Sequence, residues 1–192
     1  MKKVLVGNGG HAREVMAQMG IKLDRFVDDR YSDNETLPIS KLDPEEHTVM
    51  VAVANSKDRF DITQRLPKGI QFFTFIHPTA LIMDNVEIGE GSFVGAYSIL
   101  TTNIKIGSHA ILNRGNHIGH DCRIGSYFSA MPGAIVSGNV TIYDLVYMGN
   151  NSSIREKLSV HSLTTIGMNS AVVKDIEYPG TYVGCPVKII KS

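Results

Sequence analysis

Residues 88–124 read IGEGSFVGAYSILTTNIKIGSHAILNRGNHIGHDCRI, and an apolar residue falls on every sixth position: Ile88, Val94, Leu100, Ile106, Leu112, Ile118 and Ile124. The step extends in both directions. Backwards it meets Ile82 and Ile76; forwards it meets Ala130, Val136, Ile142, Met148, Ile154, Val160, Ile166 and Val172. In a chain that is 43% apolar, so long an unbroken series marks a repeat rather than chance. A second set lies two residues earlier and is mostly small or aliphatic, as in Ala80, Val86, Ser92, Ala110, Cys122 and Val140; Asn116 and Phe128 are its exceptions. Two inward side chains flanking one outward one is the alternation of a strand. Each hexad is therefore a short strand plus a corner. Three hexads close a triangular coil of about 18 residues, and coils stack at about 4.8 Å. Glycine often follows the sixth position, as in Gly89, Gly95, Gly107, Gly119, Gly125, Gly149 and Gly167, which reads as a corner needing positive φ.

This is the hexapeptide pattern of a parallel β-helix. The left-handed winding follows from that identification, because a period alone has no hand. A sandwich of alternating strands does not predict an unbroken period of six. Residues 1–75 lack the period and read as a small Rossmann-like α/β domain: a strand at Lys3–Val6, a helix at Ala12–Met19, and strands at Arg25–Val27, Val49–Ala54 and Gln71–Ile76. Pro38, Pro44 and Pro67 punctuate loops. The expected domains are thus 1–75 and 76–192, with a tail from Asp175 leaving the β-helix through Tyr178-Pro179-Gly180.

Lys plus Arg and Asp plus Glu each number 19, so bulk charge offers nothing to nucleic acid or an anionic membrane. No stretch has the roughly 18 consecutive apolar residues of a membrane span. The N-terminal lysines precede an apolar run too short for a signal peptide. Two cysteines without paired spacing, Cys122 and Cys185, fit a reducing cytoplasm.

Two stretches carry chemistry. Gly7-Asn8-Gly9-Gly10-His11-Ala12 fits G-x-G-x-x-A between a strand and a helix, where backbone N–H groups can cradle a phosphate. Asp28, about twenty residues on, stands where ribose hydroxyls are read. The alternative is a tight turn with no ligand. A domain of this size holds little more than one βαβ unit, which suits a mononucleotide or nucleotide-sugar better than a dinucleotide. The second stretch, Asn113 to Cys122, is the most polar part of the repeat. Ile118 points inward, so His120 belongs on the following corner, facing out. An imidazole there can take a proton from an attacking amine near neutral pH, and Asp121 beside it can orient the ring. The plain alternative is a surface histidine at a turn. Cys122 falls in the inward register and is not a candidate nucleophile. His109, His117, His120 and His161 have no histidine one coil away, so no metal site is expected; His47 and His77 read as structural.

The combination of Gly7–Val15 (G-x-G-G-H-A-x-x-V), Ile76-His77-Pro78, Asn113 to Asp121 and the closing Tyr182-Val183-Gly184-Cys185-Pro186-Val187-Lys188 resembles the bacterial hexapeptide-repeat sugar O- and N-acyltransferases. The likeness covers essentially the whole chain. Within that family it is similar to the acetyltransferases of nucleotide-linked 4-amino-sugars, of bacillosamine and perosamine type. The resemblance implies acetyl-CoA as co-substrate, no metal, and a cytoplasmic homotrimer with active sites between subunits. It implies His120 as general base, Asp121 as its partner where many members carry glutamate, and Asn113 near the reacting amine. It also places the Gly138 N–H on the thioester oxygen. His11 and the glycine turn (Gly7, Asn8, Gly9, Gly10) match the sugar-nucleotide site, with Asp28 or Asp29 near the base or ribose. Ser129 takes the position of a histidine that contacts the acetyl group in amino-sugar members, and Lys174 and Lys188 are candidate partners for CoA phosphates. The competing readings are O-acetylation of a sugar hydroxyl, as in sialic acid modification, a catalytically inactive nucleotide-sugar sensor, and a metal-dependent hydratase.

Overall fold

The structure, a computed structural model, describes residues 1–27 and 36–191. Each hexad folds as a strand of two or three residues, such as Phe93–Val94, Ile99–Leu100, Ile104–Ile106 and Ile111–Leu112. Strands pair in parallel with the residue 18 places on: Leu100 with Ile118, Ile106 with Ile124, Leu112 with Ala130. Three sheets result, forming the faces of a left-handed β-helix. From Val94 to Val172 every residue on the sixfold step is buried. Ile76 is 41% exposed, because the first coil has a stacked neighbour on one side only. Several inward polar residues find partners: Asn116, fully buried, donates from Nδ2 to the Met131 carbonyl at 2.7 Å, and Ser98 Oγ donates to the Asn113 carbonyl at 3.0 Å, whereas Asn116 Oδ1 and Thr164 Oγ1 have none among the described residues.

The corners differ from the sequence reading. Positive φ falls three residues after the sixfold position, at Asn85, Tyr97, Asn103, Asp121, Leu145 and their equivalents, mostly without glycine. A left-handed L-residue costs about 1–2 kcal/mol. From Asn103 onward each corner offsets this with a backbone hydrogen bond to the coil before, such as Leu145 N to Ser126 O at 2.9 Å and Asp121 N to Thr102 O at 3.0 Å. The glycines that follow the sixfold position serve space instead. A Cβ on Gly89, Gly119 or Gly149 would lie 2.5, 2.6 or 2.6 Å from a backbone nitrogen of the next coil.

The tail also departs from expectation. Ile176 bridges Val160, Gly180–Val183 joins the eight-stranded sheet parallel to Thr164–Ile166, and Lys188–Lys191 folds back antiparallel on it. The chain thus stays on the β-helix to its described end.

The N-terminal domain comprises β1 (Lys2–Val6), α1 (Gly10–Met19), β2 (Asp24–Val27), β3 (Leu37–Pro38), β4 (His47–Val51), α2 (Ser56–Thr63) and β5 (Gln71–Phe72). The parallel order is β3-β2-β1-β4-β5. Pro38 therefore lies in an edge strand, where a missing N–H is tolerated. The strand expected over Gln71–Ile76 is two: Phe72 pairs with Val49 in β4, whereas Phe75–Ile76 pairs with Phe93–Val94 and opens the β-helix. The strand expected over Val49–Ala54 is β4, which begins earlier and ends at Val51.

Of the outward residues, Phe93 and Ile111 on the eight-stranded sheet pack against Leu5, Val15, Met50 and Phe73, so the N-terminal domain is seated on that face. The six-stranded sheet presents Leu81 and Ile135, 50% and 44% exposed. The five-stranded sheet presents Glu87, Lys105 and Arg123, with Lys105 Nζ 2.9 Å from Glu87 Oε1.

Candidate active site

His120 occupies the corner after His117–Ile118 and is exposed. Its Nδ1 lies 2.7 Å from Asp121 Oδ2. A carboxylate only accepts, so Nδ1 carries a hydrogen, and in the neutral ring the lone pair is then on Nε2. The bond to His120, then one from Asn103, holds the Asp121 carboxyl below its ordinary value. Gly138, one coil on, lies against the ring: a Cβ there would be 2.6 Å from His120 Nε2. Asn139 N, next in the chain, donates to His120 O at 2.7 Å. The Gly138 N–H donates to no group among the described residues. Cys122 points into the core, donating from Sγ to Ser137 O at 3.1 Å, and burial pushes its thiol up.

Asn113 is on a different corner, after Ile111–Leu112, and is 2% exposed. Its Oδ1 accepts from Arg114 N at 2.7 Å and its Nδ2 faces Glu14 Oε2 of α1 at 3.4 Å; Arg114 pairs with the other oxygen of Glu14. Within one protomer Asn113 and His120 do not meet.

The glycine turn lies at the carboxyl ends of β1 and β4, where strand order reverses, the usual ligand crevice of such sheets. Val6, Gly7, Asn8, Val53, Asp58 and Arg65 line a cavity of about 580 Å³ there. Gly7 has φ 129°, and a Cβ on it would lie 2.9 Å from Ala52 O, so only glycine fits between the strand ends. Gly9 caps α1 without a side-chain bond, leaving the first N–H groups of the helix open to an anion. Arg13 Nη1 donates to Asn8 O at 3.0 Å, and Arg25 to the Asn8 side chain.

His11 lies at the domain junction rather than among the residues lining this crevice, edge-on to Phe93 at 6.2 Å, with its Nε2 buried and without a hydrogen-bond partner among the described residues. Burial lowers its pKa to about 4, so it is neutral at pH 7 and cannot serve as a phosphate's cation. Ser129 is fully buried beneath α2, donating to Ala54 O at 2.7 Å and accepting from Ser56 Oγ at 3.0 Å and Arg59 Nη2 at 2.8 Å. One donor and two acceptor sites are all a hydroxyl has, so none is left for a ligand. Lys174 and Lys188 are exposed near the C-terminal end; Lys174 borders a cavity of about 300 Å³ with Tyr182 and Val187. Asp28 and Asp29 lie outside the described residues. Among the described residues no cluster of His, Cys, Asp or Glu could hold a metal, and no helix is long and apolar enough to cross a membrane.

Two residues escaped the sequence reading. Arg59 of α2 is 0% exposed and reaches backbone carbonyls of both domains, including Val53 at 2.6 Å, His109 at 2.8 Å and Tyr127 at 2.9 Å. Asn103 donates to Asp121 Oδ1 at 3.1 Å. The offset of 18 that pairs strands also pairs these two, and it is the signal that could have found Asn103.

No protein-family model matches the chain. Its structure superposes on WeeI from Acinetobacter baumannii AYE with a TM-score of 0.87, at 30% identity over 99% of this chain and 100% of that one. The acetyltransferase domain of PglB from Neisseria gonorrhoeae FA1090, solved in complex with acetyl coenzyme A, superposes with a TM-score of 0.66 at 28% identity, covering 98% of each chain. In sequence, 107 residues (55% of this chain) are 34% identical to GDP-perosamine N-acetyltransferase from Escherichia coli O157:H7, covering 48% of that protein. The chain spans about half or less of the length of the curated relatives it matches.

Proposed function

The chain belongs to the hexapeptide-repeat sugar acyltransferase family, and from that premise we propose that it moves the acetyl group of acetyl-CoA onto the amine of a nucleotide-linked 4-amino-4,6-dideoxysugar. The observation that carries the reading is the His120–Asp121 pair, exposed on a corner with the ring seated over Gly138. The amine lone pair attacks the thioester carbonyl carbon. His120 Nε2 takes the proton the nitrogen releases, and the Gly138 N–H donates to the oxyanion. Collapse re-forms the carbonyl, breaks the C–S bond and returns the proton from His120 to sulfur, leaving an amide and CoA thiol. No acyl-enzyme forms.

The open N–H groups at Gly9 and Gly10 receive the diphosphate, and Lys174 and Lys188 the phosphates of CoA. Asn113 contacts the amine from another subunit, since its corner and that of His120 are separate in one protomer. Copies associate as a homotrimer through the six-stranded face, whose Leu81 and Ile135 are exposed apolar residues in line. Two unpaired cysteines and the proposed use of acetyl-CoA support a cytoplasmic location.

The test is acetyl-CoA-dependent thiol release with GDP-, UDP- and dTDP-linked 4-amino-4,6-dideoxysugars, with the product bond identified by NMR. Release with one of them, giving an amide, supports the reading. An ester product from a hydroxyl acceptor, with every amine silent, replaces it with O-acetylation.

A further inference from the structure

An exposed histidine beside an exposed aspartate is a poor base unless something stops both from rotating. Asp121 is held on its far side. Asn103 Nδ2 donates to Asp121 Oδ1 at 3.1 Å, while His120 occupies Oδ2 at 2.7 Å, so each carboxylate oxygen has its own donor. Asn103 is fixed in turn: Asn85 Nδ2 donates to its Oδ1 at 3.1 Å, and its backbone N donates to Asp84 O at 3.1 Å. Asn85, Asn103 and Asp121 stand one above another, 18 residues apart, with φ 57°, 57° and 59°. Their amides point one way along the corner, and this chain of side-chain hydrogen bonds ends at the carboxylate beside the imidazole, while the corner itself continues at Asn139.

We propose that Asn103 is a positioning residue for acetyl transfer, acting through Asp121 to hold His120 with Nδ1–H on the carboxylate and Nε2 free for the amine proton. The inference rests on the reading of His120 as general base. An Asp121 carboxylate free to rotate would release Nδ1. The ring would then exchange between tautomers, and in the one with hydrogen on Nε2 it cannot accept there. The pairing to His120 and the bond from Asn103 both favour ionised Asp121, in that order. Other ionisable groups on the coils flanking this corner are Asp84 and Glu87 on one coil, Lys105 on the next and Arg123 beyond Asp121; Lys105 is taken up by Glu87.

Substitution separates positioning from structure. Position 103 is left-handed, so Asn103→Gly removes the amide at a position where glycine is unstrained. Asn103→Asp keeps the shape, and aspartate tolerates this region. A purely structural role would therefore leave kcat and the His120 tautomer unchanged in either folded variant. A positioning role would not. Asn103→Gly should lower kcat about tenfold, with KM for both substrates within about twofold of wild type. Asn103→Asp should be worse at pH 8, where two carboxylates face each other. Its deficit should narrow as pH falls, because two carboxylates in contact retain a shared proton and the protonated one donates as asparagine did. In the free protein, imidazole ¹⁵N shifts, assigned by difference from His120→Asn, should show His120 mainly as the Nδ1–H tautomer and as a mixture in Asn103→Gly.

Wild-type kcat in both variants and an unchanged tautomer would overturn the role of Asn103 while leaving His120 as base. An active His120→Asn enzyme would remove the base, and this inference with it.

Discussion

His120 is constrained on two sides. Asp121 holds one edge of the ring, and the missing side chain at Gly138 leaves room for the other. Gly138 does not have positive φ, so Gly138→Ala strains no backbone. Its methyl meets an exposed imidazole that can swing aside. Stability should change by no more than about 1 kcal/mol, while kcat falls at least about tenfold as the ring leaves Asp121; thermal melts and initial rates measured together check both halves. His120 and Asp121 were legible because polar residues at a corner break an apolar hexad pattern. The surroundings of Ser129 were not legible, because a period shows which residues point out of a coil, but not which outward face a second domain covers. Asn103 stayed hidden because asparagine at a left-handed corner is ordinary; only its vertical alignment with Asp121 gives it a partner.

At the scale of elements, α2 decides how the two domains sit. Its sequence, SKDRFDIT, has no apolar stripe, and the residues it buries are Ser56 and Arg59. Periodicity therefore could not find it. The Asn55 cap, accepting from Asp58 N at 3.0 Å, was the available sign. Arg59 inserts a guanidinium where an apolar residue would be expected, because the carbonyls of His109 and Tyr127 end there with no other donor among the described residues, and that of Phe128, already bonded to Ile111 N, accepts from it as well. Burial lowers its pKa to about 9, which still leaves it charged at neutral pH. Arg59→Met fills similar volume but strands the carbonyls of His109 and Tyr127. We expect a loss of roughly 3 kcal/mol or more in denaturant unfolding. Arg59→Lys should recover little of it, since one ammonium cannot reach both domains. The β-helix, by contrast, was readable nearly strand by strand: one apolar position per hexad suffices to set register when every coil repeats the last. Its corners were not, because glycine was credited with a left-handed turn that asparagine, aspartate and even leucine make here.

For the whole molecule, the domain junction carries a pH dependence. His11 and His109 are both held neutral, each with its pKa lowered to about 4, first by burial and then, among other charges, by Arg59. His109 stacks on Tyr127 at 4.9 Å and meets Phe72 edge-on at 4.5 Å. Once unfolded, both rings take up a proton below about pH 6.5. Between that pH and about 4 the unfolded chain binds more protons than the native one, so stability falls as the solution is acidified. The loss is on the order of 2–3 kcal/mol for each ring. His109→Phe keeps the aromatic contacts and should remove one ring's share, flattening stability between pH 6.5 and 4.5 in urea titrations.

Above both domains stands the claim that one imidazole accepts the amine proton. Its most direct test is the turnover of His120→Asn beside wild type, at saturating acetyl-CoA and amino-sugar nucleotide, with acetyl-CoA binding and oligomeric state measured on the same samples. The expected result is a fall in kcat of about a hundredfold or more, with binding and assembly unchanged. Turnover within about threefold of wild type, from protein that binds and assembles normally, would contradict it.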